Sequence, residues 1–204
     1  MDLSDVKKIY NNYKPKNIEN PKPASVLIPL IEENKRTYVI FEKRSSTVSQ
    51  PGDISFAGGH VEKGESPRAA SIREATEELN IKSENISLIS EADYLITHSN
   101  MIVNSFVGEI TGLKFDDIKP NNEVEYLIKL PLDELVKSEK QVYTTEFDAQ
   151  RPDNFPYHLI HGQRNYKFAK VKEQTYFYEL HGVTVWGFTA KVLSAFLENL
   201  KHNP

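Results

Sequence analysis

The stretch Gly58 to Ile81, GGHVEKGESPRAASIREATEELNI, constrains the fold more than any other part of the chain. It opens on two glycines, which let a backbone approach other groups closely. It then reads as a helix over Pro67 to Leu79. Ser66 is a good N-cap, and Pro67 suits the first helical position because its missing N–H is one of the orphan donors there. Asn80 follows the last turn, where a residue that tolerates left-handed backbone is wanted. Glu74, Glu77 and Glu78 stand three and four positions apart, so they share one face. Ile72 and Leu79, with Ala69 nearby, project from the other side and are expected to pack on a sheet.

Three carboxylates on one helix face repel one another. A solvated face would offset them with lysines four residues on, but Glu74 and Glu77 are followed at that spacing by Glu78 and Ile81. A divalent cation would relieve the repulsion. Ligands that are all oxygen suit magnesium or manganese, which take a few carboxylates together with waters and substrate phosphates. Backbone carbonyls of the Gly58–Gly59 loop can approach such an ion. Arg73 can hold carboxylates in register through its forked guanidinium.

This set of residues resembles the Nudix box, G-x5-E-x7-R-E-U-x-E-E-x-G-U with U aliphatic. Here it reads Gly59, Glu65, Arg73, Glu74, Ala75, Glu77, Glu78, Asn80 and Ile81, and only Asn80 departs, in place of the last glycine. The resemblance implies an α/β fold, the Nudix-type α/β/α sandwich with a mixed β-sheet, and attack by water on a diphosphate phosphorus. It also implies roles by position. Glu77 and Glu78 would bind Mg2+ or Mn2+, with the Gly58 carbonyl as a further ligand. Glu74 would bind metal or activate the water, and Glu65 and Arg73 would brace loop and helix.

Upstream, RSSTVSQPGDISFAGG resembles the signature of the coenzyme A pyrophosphatase branch of that family at Arg44, Ser45, Gly52, Phe56, Gly58 and Gly59. It departs in three ways. The interval from Arg44 to Gly52 is one residue short, Val48 and Ser49 stand where an internal arginine belongs, and Ala57 replaces a proline. TVWGFTAKVL, Thr184 to Leu193, resembles the segment that closes the same branch, and NEVEYLIKLPLDEL, Asn122 to Leu135, a stretch of many Nudix enzymes. The branch implies hydrolysis of coenzyme A or an acyl-CoA to 3′,5′-ADP and a phosphopantetheine. Arg44 is a separate candidate to grip a phosphate, against the ordinary reading of an arginine closing a strand as its solvated end. The box is common to hydrolases of ADP-ribose, dinucleotides and nucleoside triphosphates, so those substrates stay open. A catalytically silent nucleotide-sensing module ranks below them, because all four box glutamates and Arg73 are present.

A water attacking phosphorus needs a base or an orienting acceptor, and carboxylates bound to metal are poor bases. Glu123 follows the polar turn KPNN and precedes a strand expected over Val124 to Leu130, so it sits on a loop end free to bend toward the box. Glu125 lies within that strand and is the rival. The choice among Glu74, Glu123 and Glu125 stays open, with Glu123 favoured.

Composition narrows the remainder. The 204 residues carry a net charge of −4 and no cysteine. There is no basic excess to neutralise a nucleic-acid backbone, so the expected partner is a small-molecule nucleotide. Disulfides, thiolate zinc sites and a cysteine nucleophile are excluded. MDLSDVKKIYNNYKPKN lacks the apolar core of a signal peptide, and no apolar run reaches the length of a membrane span. A single domain over residues 1–204 is expected, cytoplasmic, with a helix and connector over 1–23 and the box over 59–81. A homodimer rests on family resemblance alone.

Other elements follow from pattern. Strands are expected at Ala24 to Ile31, Tyr38 to Phe41, Ile86 to Ile96 and Ile102 to Ile110. A short helix is expected at Leu132 to Val136, and a long one over Val183 to Leu200 with Phe188, Val192, Phe196 and Leu200 on one stripe. TYFYEL reads as a strand. Phe147 to Lys172, polar and aromatic, is read as a lid over the substrate. His98, His158 and His161 read as loop or packing histidines, and Trp186 and Phe188 as helix core.

Overall fold

The computed structural model describes residues 1–202. Lys22–Glu33 (β1) and Arg36–Arg44 (β2) form a hairpin whose turn residues, Asn34 and Lys35, both lie in the left-handed region, at φ 53° and 63°. Such a two-residue turn matches the twist of the strands it joins. Val39, Ile40, Phe41 and Glu42 are all buried, so both faces of β2 are covered. Alternation sorts them. Val26, Ile28, Val39 and Phe41 belong to one core, and Leu27, Ile31 and Ile40 to a second core on the opposite face.

Six more strands complete the sheet: Ile54–Ser55 (β3), Gly58–His60 (β4), Ile86–Glu91 (β5), Leu95–Ile96 (β6), Met101–Ile110 (β7) and Val124–Pro131 (β8). The order is β3-β2-β1-β7-β5, with β4 on β1, β6 on β7 and β8 on β2. β1 and β7 run parallel while the other pairings are antiparallel. Helix Leu3–Tyr10 (α1) buries none of its residues. Pro67–Glu78 (α2) lays Ala75 and Leu79 on the core of Leu27 and Ile40. Leu132–Lys137 (α3) and Gly187–His202 (α4) lie on the other face, where Leu135, Leu193, Phe196 and Leu197 join the core of Val39 and Phe41. Two helical layers around a mixed sheet make the expected α/β/α sandwich. No helix among the described residues is long and apolar enough to cross a membrane.

Several boundaries differ from the sequence reading. The helix expected from Val183 starts instead at Gly187, whose φ is 68°, and Val183–Trp186 is a strand (β11). With Gln141–Phe147 (β9) and Val171–Leu180 (β10) it forms a separate three-stranded antiparallel sheet that the sequence reading lacked. The stripe on α4 is shifted. Val192 and Phe196 are buried as expected, but Phe188 and Leu200 are exposed, and the buried face also takes in Ala190, Leu193 and Leu197. The single strand expected over Ile86 to Ile96 is two, β5 and β6. On α2 the small residues Ala70, Ser71 and Ala75 are buried, whereas Ala69 is exposed and Ile72 only partly covered.

Candidate active site

α2 is pinned at both ends. At its start the Ser66 hydroxyl accepts from the Ala69 N–H at 3.2 Å, a cap worth about 1 kcal/mol. The Ser25 hydroxyl donates to the Pro67 carbonyl at 2.7 Å and ties the same end to β1. At its finish Asn80 takes φ 52°, and the Ile81 N–H donates to the Thr76 carbonyl at 3.2 Å. Asn80 does the helix-ending work expected of it, and its amide also donates to the Lys119 carbonyl at 3.0 Å. The glutamates of the last turns are thereby held at a fixed height over the sheet.

The glycine pair sits beneath them on β4, Gly58 opposite Val26 and Gly59 opposite Ser25. A Cβ on Gly58 would stand 2.4 Å from the Ser25 carbonyl oxygen, and one on Gly59 2.4 Å from Glu74 Oε1. Close approach is therefore why glycine occupies both positions.

Arg73 organises the polar side. Its Nε donates to Glu65 Oε1 at 3.0 Å and its Nη2 to Glu65 Oε2 at 3.2 Å, with a further bond to the His60 carbonyl at 3.1 Å. Its Nη1 lies 3.0 Å from Glu74 and 3.3 Å from Glu77. Glu65 also accepts from the Glu62 N–H at 3.1 Å, so one guanidinium joins the loop to the helix. Arg73 holds the Glu65 carboxyl below the usual carboxylate range.

The three helix glutamates share a side but not an environment. Glu77 is exposed, Glu74 half-buried and Glu78 buried at 4% exposure. Burial raises the Glu74 carboxyl, against the opposing pull of Arg73. Burial raises Glu78 more, and the charge of Glu42 adds to it, although the Gly58 N–H donates to Glu78 Oε2 at 2.7 Å.

Glu42 is the residue that sequence reading missed. It is 1% exposed, and its Oε1 accepts from the Ser55 hydroxyl at 3.0 Å. Its carboxyl is an electrostatic neighbour of Glu78 and is itself raised, first by burial. The signal was available: alternation along β2 places Glu42 on the face of Ile40, which packs under α2.

The two loop candidates separate. Glu123 is exposed, but its charge adds to the upward push on both Glu42 and Glu74. Glu125 instead pairs with Lys43 at 3.2 Å.

Among the described residues no three acidic or imidazole side chains converge as a ready metal cage. Glu74 and Glu77 are held by Arg73, and a cation would compete for them. The donor chemistry nevertheless fits one. The groups are all carboxylate, two are buried side by side, and Glu42 Oε2 is buried with no hydrogen-bond partner. Uncompensated buried charge of this kind is what a hard divalent cation neutralises.

A cavity of about 420 Å3 has Ser55 and Arg44, the two neighbours of Glu42, in its wall, while the helix glutamates themselves do not line it. Arg44 donates from Nε to the Ser49 carbonyl at 2.8 Å, and its Nη1 lies 4.0 Å from Glu42 Oε1. Leu95, Met101, Trp186 and Phe188 give the cavity apolar surface. Trp186 and Phe188 are thus partly exposed wall rather than helix core; the Trp186 ring stacks on Phe177 at 5.8 Å. His98 and Lys191 also line it, both bound to Glu173, at 2.7 and 2.9 Å. The segment over 148–170 lines a different hollow, around Phe155, Tyr157 and Gln163, and His158 belongs to that one.

Comparison with known proteins matches residues 21–148 to the NUDIX domain model. Nudix hydrolase 3 of Caenorhabditis elegans is 29% identical over 131 residues, covering 62% of this chain and 53% of that protein; the chain thus spans about half of that relative's length. The peroxisomal coenzyme A diphosphatase of Mus musculus is 26% identical over 138 residues, covering 67% of this chain and 57% of that one. A MutT/nudix family protein from Enterococcus faecalis superposes with a TM-score of 0.52 at 12% identity, covering 99% of this chain and 69% of that one.

Proposed function

Because the chain belongs to the Nudix family, we propose that it hydrolyses a diphosphate joining a nucleoside-containing group to a second moiety, with coenzyme A or an acyl-CoA as the first candidate substrate. The observation that carries the reading is the brace of Arg73 on Glu65, Glu74 and Glu77, with Glu74 packed against Gly59 of the glycine pair.

Glu74, Glu77 and Glu78, with the Gly58 carbonyl, would hold Mg2+ or Mn2+. The cation, when bound, lowers the pKa of water and neutralises charge that develops on the phosphoryl group. The chain's own residues do the rest. Glu123, at the start of β8, accepts a proton from the attacking water or orients it. Arg44 binds a phosphate at the cavity wall. Water adds across the anhydride P–O–P link, one phosphate keeping the water oxygen and the other leaving with the bridging oxygen. With coenzyme A the products are 3′,5′-ADP and a phosphopantetheine.

Support for coenzyme A comes from the Arg44, Ser45, Gly52 and Phe56 pattern, the Trp186–Gly187–Phe188–Thr189–Ala190 segment and the likeness to the mouse coenzyme A diphosphatase. A second reading, a substrate such as ADP-ribose, is favoured by Val48 and Ser49, which stand where the coenzyme A branch has an internal arginine and leave a 3′-phosphate without that partner. Comparing kcat/KM on coenzyme A, dephospho-coenzyme A and ADP-ribose separates the two. A preference for ADP-ribose overturns the coenzyme A assignment and leaves diphosphate hydrolysis standing.

A further inference from the structure

We propose that Glu42, on β2 and outside the helix motif, supplies a carboxylate oxygen to the divalent cation that Glu78 would bind, an inference that rests on the Nudix reading of α2. The three residues before Glu42 on β2 show what so buried a position ordinarily takes. Val39, Ile40 and Phe41 are buried apolar side chains, and Glu42 is as buried as they are. A carboxylate in such a place is costly unless something compensates it.

Its two oxygens are treated differently. Oε1 accepts from the Ser55 hydroxyl at 3.0 Å and stands 4.0 Å from the Arg44 guanidinium. Oε2 is buried without a hydrogen-bond partner. The carboxyl it belongs to is an electrostatic neighbour of Glu78, which is also buried. Two ionised carboxylates are acceptors only, so neither can satisfy the other. Glu78 in turn has its Oε2 taken by the Gly58 N–H. Each acid is therefore oriented by a donor on one oxygen, Ser55 for Glu42 and Gly58 for Glu78. A carboxylate fixed on one side by a hydrogen bond and open on the other is the usual pose of a metal ligand with its outer partner. On this account Ser55 is a positioning residue, acting through Glu42.

The competing arrangement is a proton shared between the two acids, with no part in ion binding. Titration of the full chain with Mn2+ and no nucleotide distinguishes them, read by calorimetry and by the paramagnetic resonance signal of free Mn2+. Wild type, Glu42→Gln, Ser55→Ala, Glu77→Gln and Glu78→Gln are compared, with circular dichroism as the check of fold. Glu42→Gln is expected to weaken Mn2+ binding by about 10- to 100-fold, and Ser55→Ala by about 10-fold, the range for ligands and their outer partners. Should Glu42→Gln fail to fold, Ser55→Ala and the charge-preserving but shorter Glu42→Asp carry the test. Wild-type Mn2+ affinity in the folded variants, with binding lost in Glu78→Gln, overturns the role of Glu42 and leaves the Nudix reading intact. A wild-type chain that binds no Mn2+ overturns both.

Discussion

Arg73 grips Glu65 through two parallel hydrogen bonds, Nε to Oε1 at 3.0 Å and Nη2 to Oε2 at 3.2 Å, while its remaining nitrogen faces Glu74 and Glu77. A lysine can offer one point charge but not this fork. Arg73→Lys is therefore expected to keep the fold, seen as an unchanged circular dichroism spectrum, and to lower kcat by about 10-fold or more, the scale of losing an outer partner of a metal site. Wild-type kcat in Arg73→Lys would show that the fork is not needed.

The two glycines of β4 make opposite predictions. A side chain at Gly58 meets backbone, the Ser25 carbonyl, which cannot step aside, so Gly58→Ala is expected to lower stability by about 1 to 3 kcal/mol. A side chain at Gly59 meets the end of the flexible Glu74 side chain. Gly59→Ala is expected to lower activity while losing less stability than Gly58→Ala. Thermal unfolding of both variants beside their turnover numbers checks the contrast, and equal losses of stability would break it.

Glu123 and Glu125 are two residues apart, yet the charge of Glu123 acts on Glu42 and Glu74 while Glu125 is paired with Lys43. Glu123→Gln is expected to reduce kcat by about 100-fold or more, as removal of a positioned acid–base group does, and Glu125→Gln to change it less than about twofold. The reverse ranking would move the role to Glu125, and full activity in both would return it to Glu74.

How much of this was legible in the chain depended on how local the signal was. Ser66, Pro67 and Asn80 mark the ends of α2 by their own backbone chemistry, and the helix lies where they place it. β9 gives no comparable signal. All seven of its residues are exposed, so QVYTTEF carries no alternation of buried and solvated positions to betray a strand. In Val183 to Leu193 the apolar spacing suits helix throughout, and only the left-handed Gly187 ends β11 and begins α4. Glu42 was overlooked for a different reason. A charged residue closing an apolar strand is ordinarily its solvated end, and the groups that surround it, Ser55 and Glu78 among them, are distant in sequence. The cavity wall of His98, Glu173 and Lys191 likewise draws on three separate segments.

The central claim is a metal-dependent attack on a diphosphate at the carboxylates of α2. Its most direct measurement is turnover of coenzyme A, dephospho-coenzyme A, ADP-ribose and NADH by wild type and Glu78→Gln, each with Mg2+ or Mn2+ and again in excess EDTA. The predicted result is diphosphate cleavage of at least one substrate by wild type with metal, abolished by EDTA and lowered by about two to four powers of ten in folded Glu78→Gln. Turnover undiminished by EDTA, or wild-type rates in Glu78→Gln at saturating metal, would contradict it.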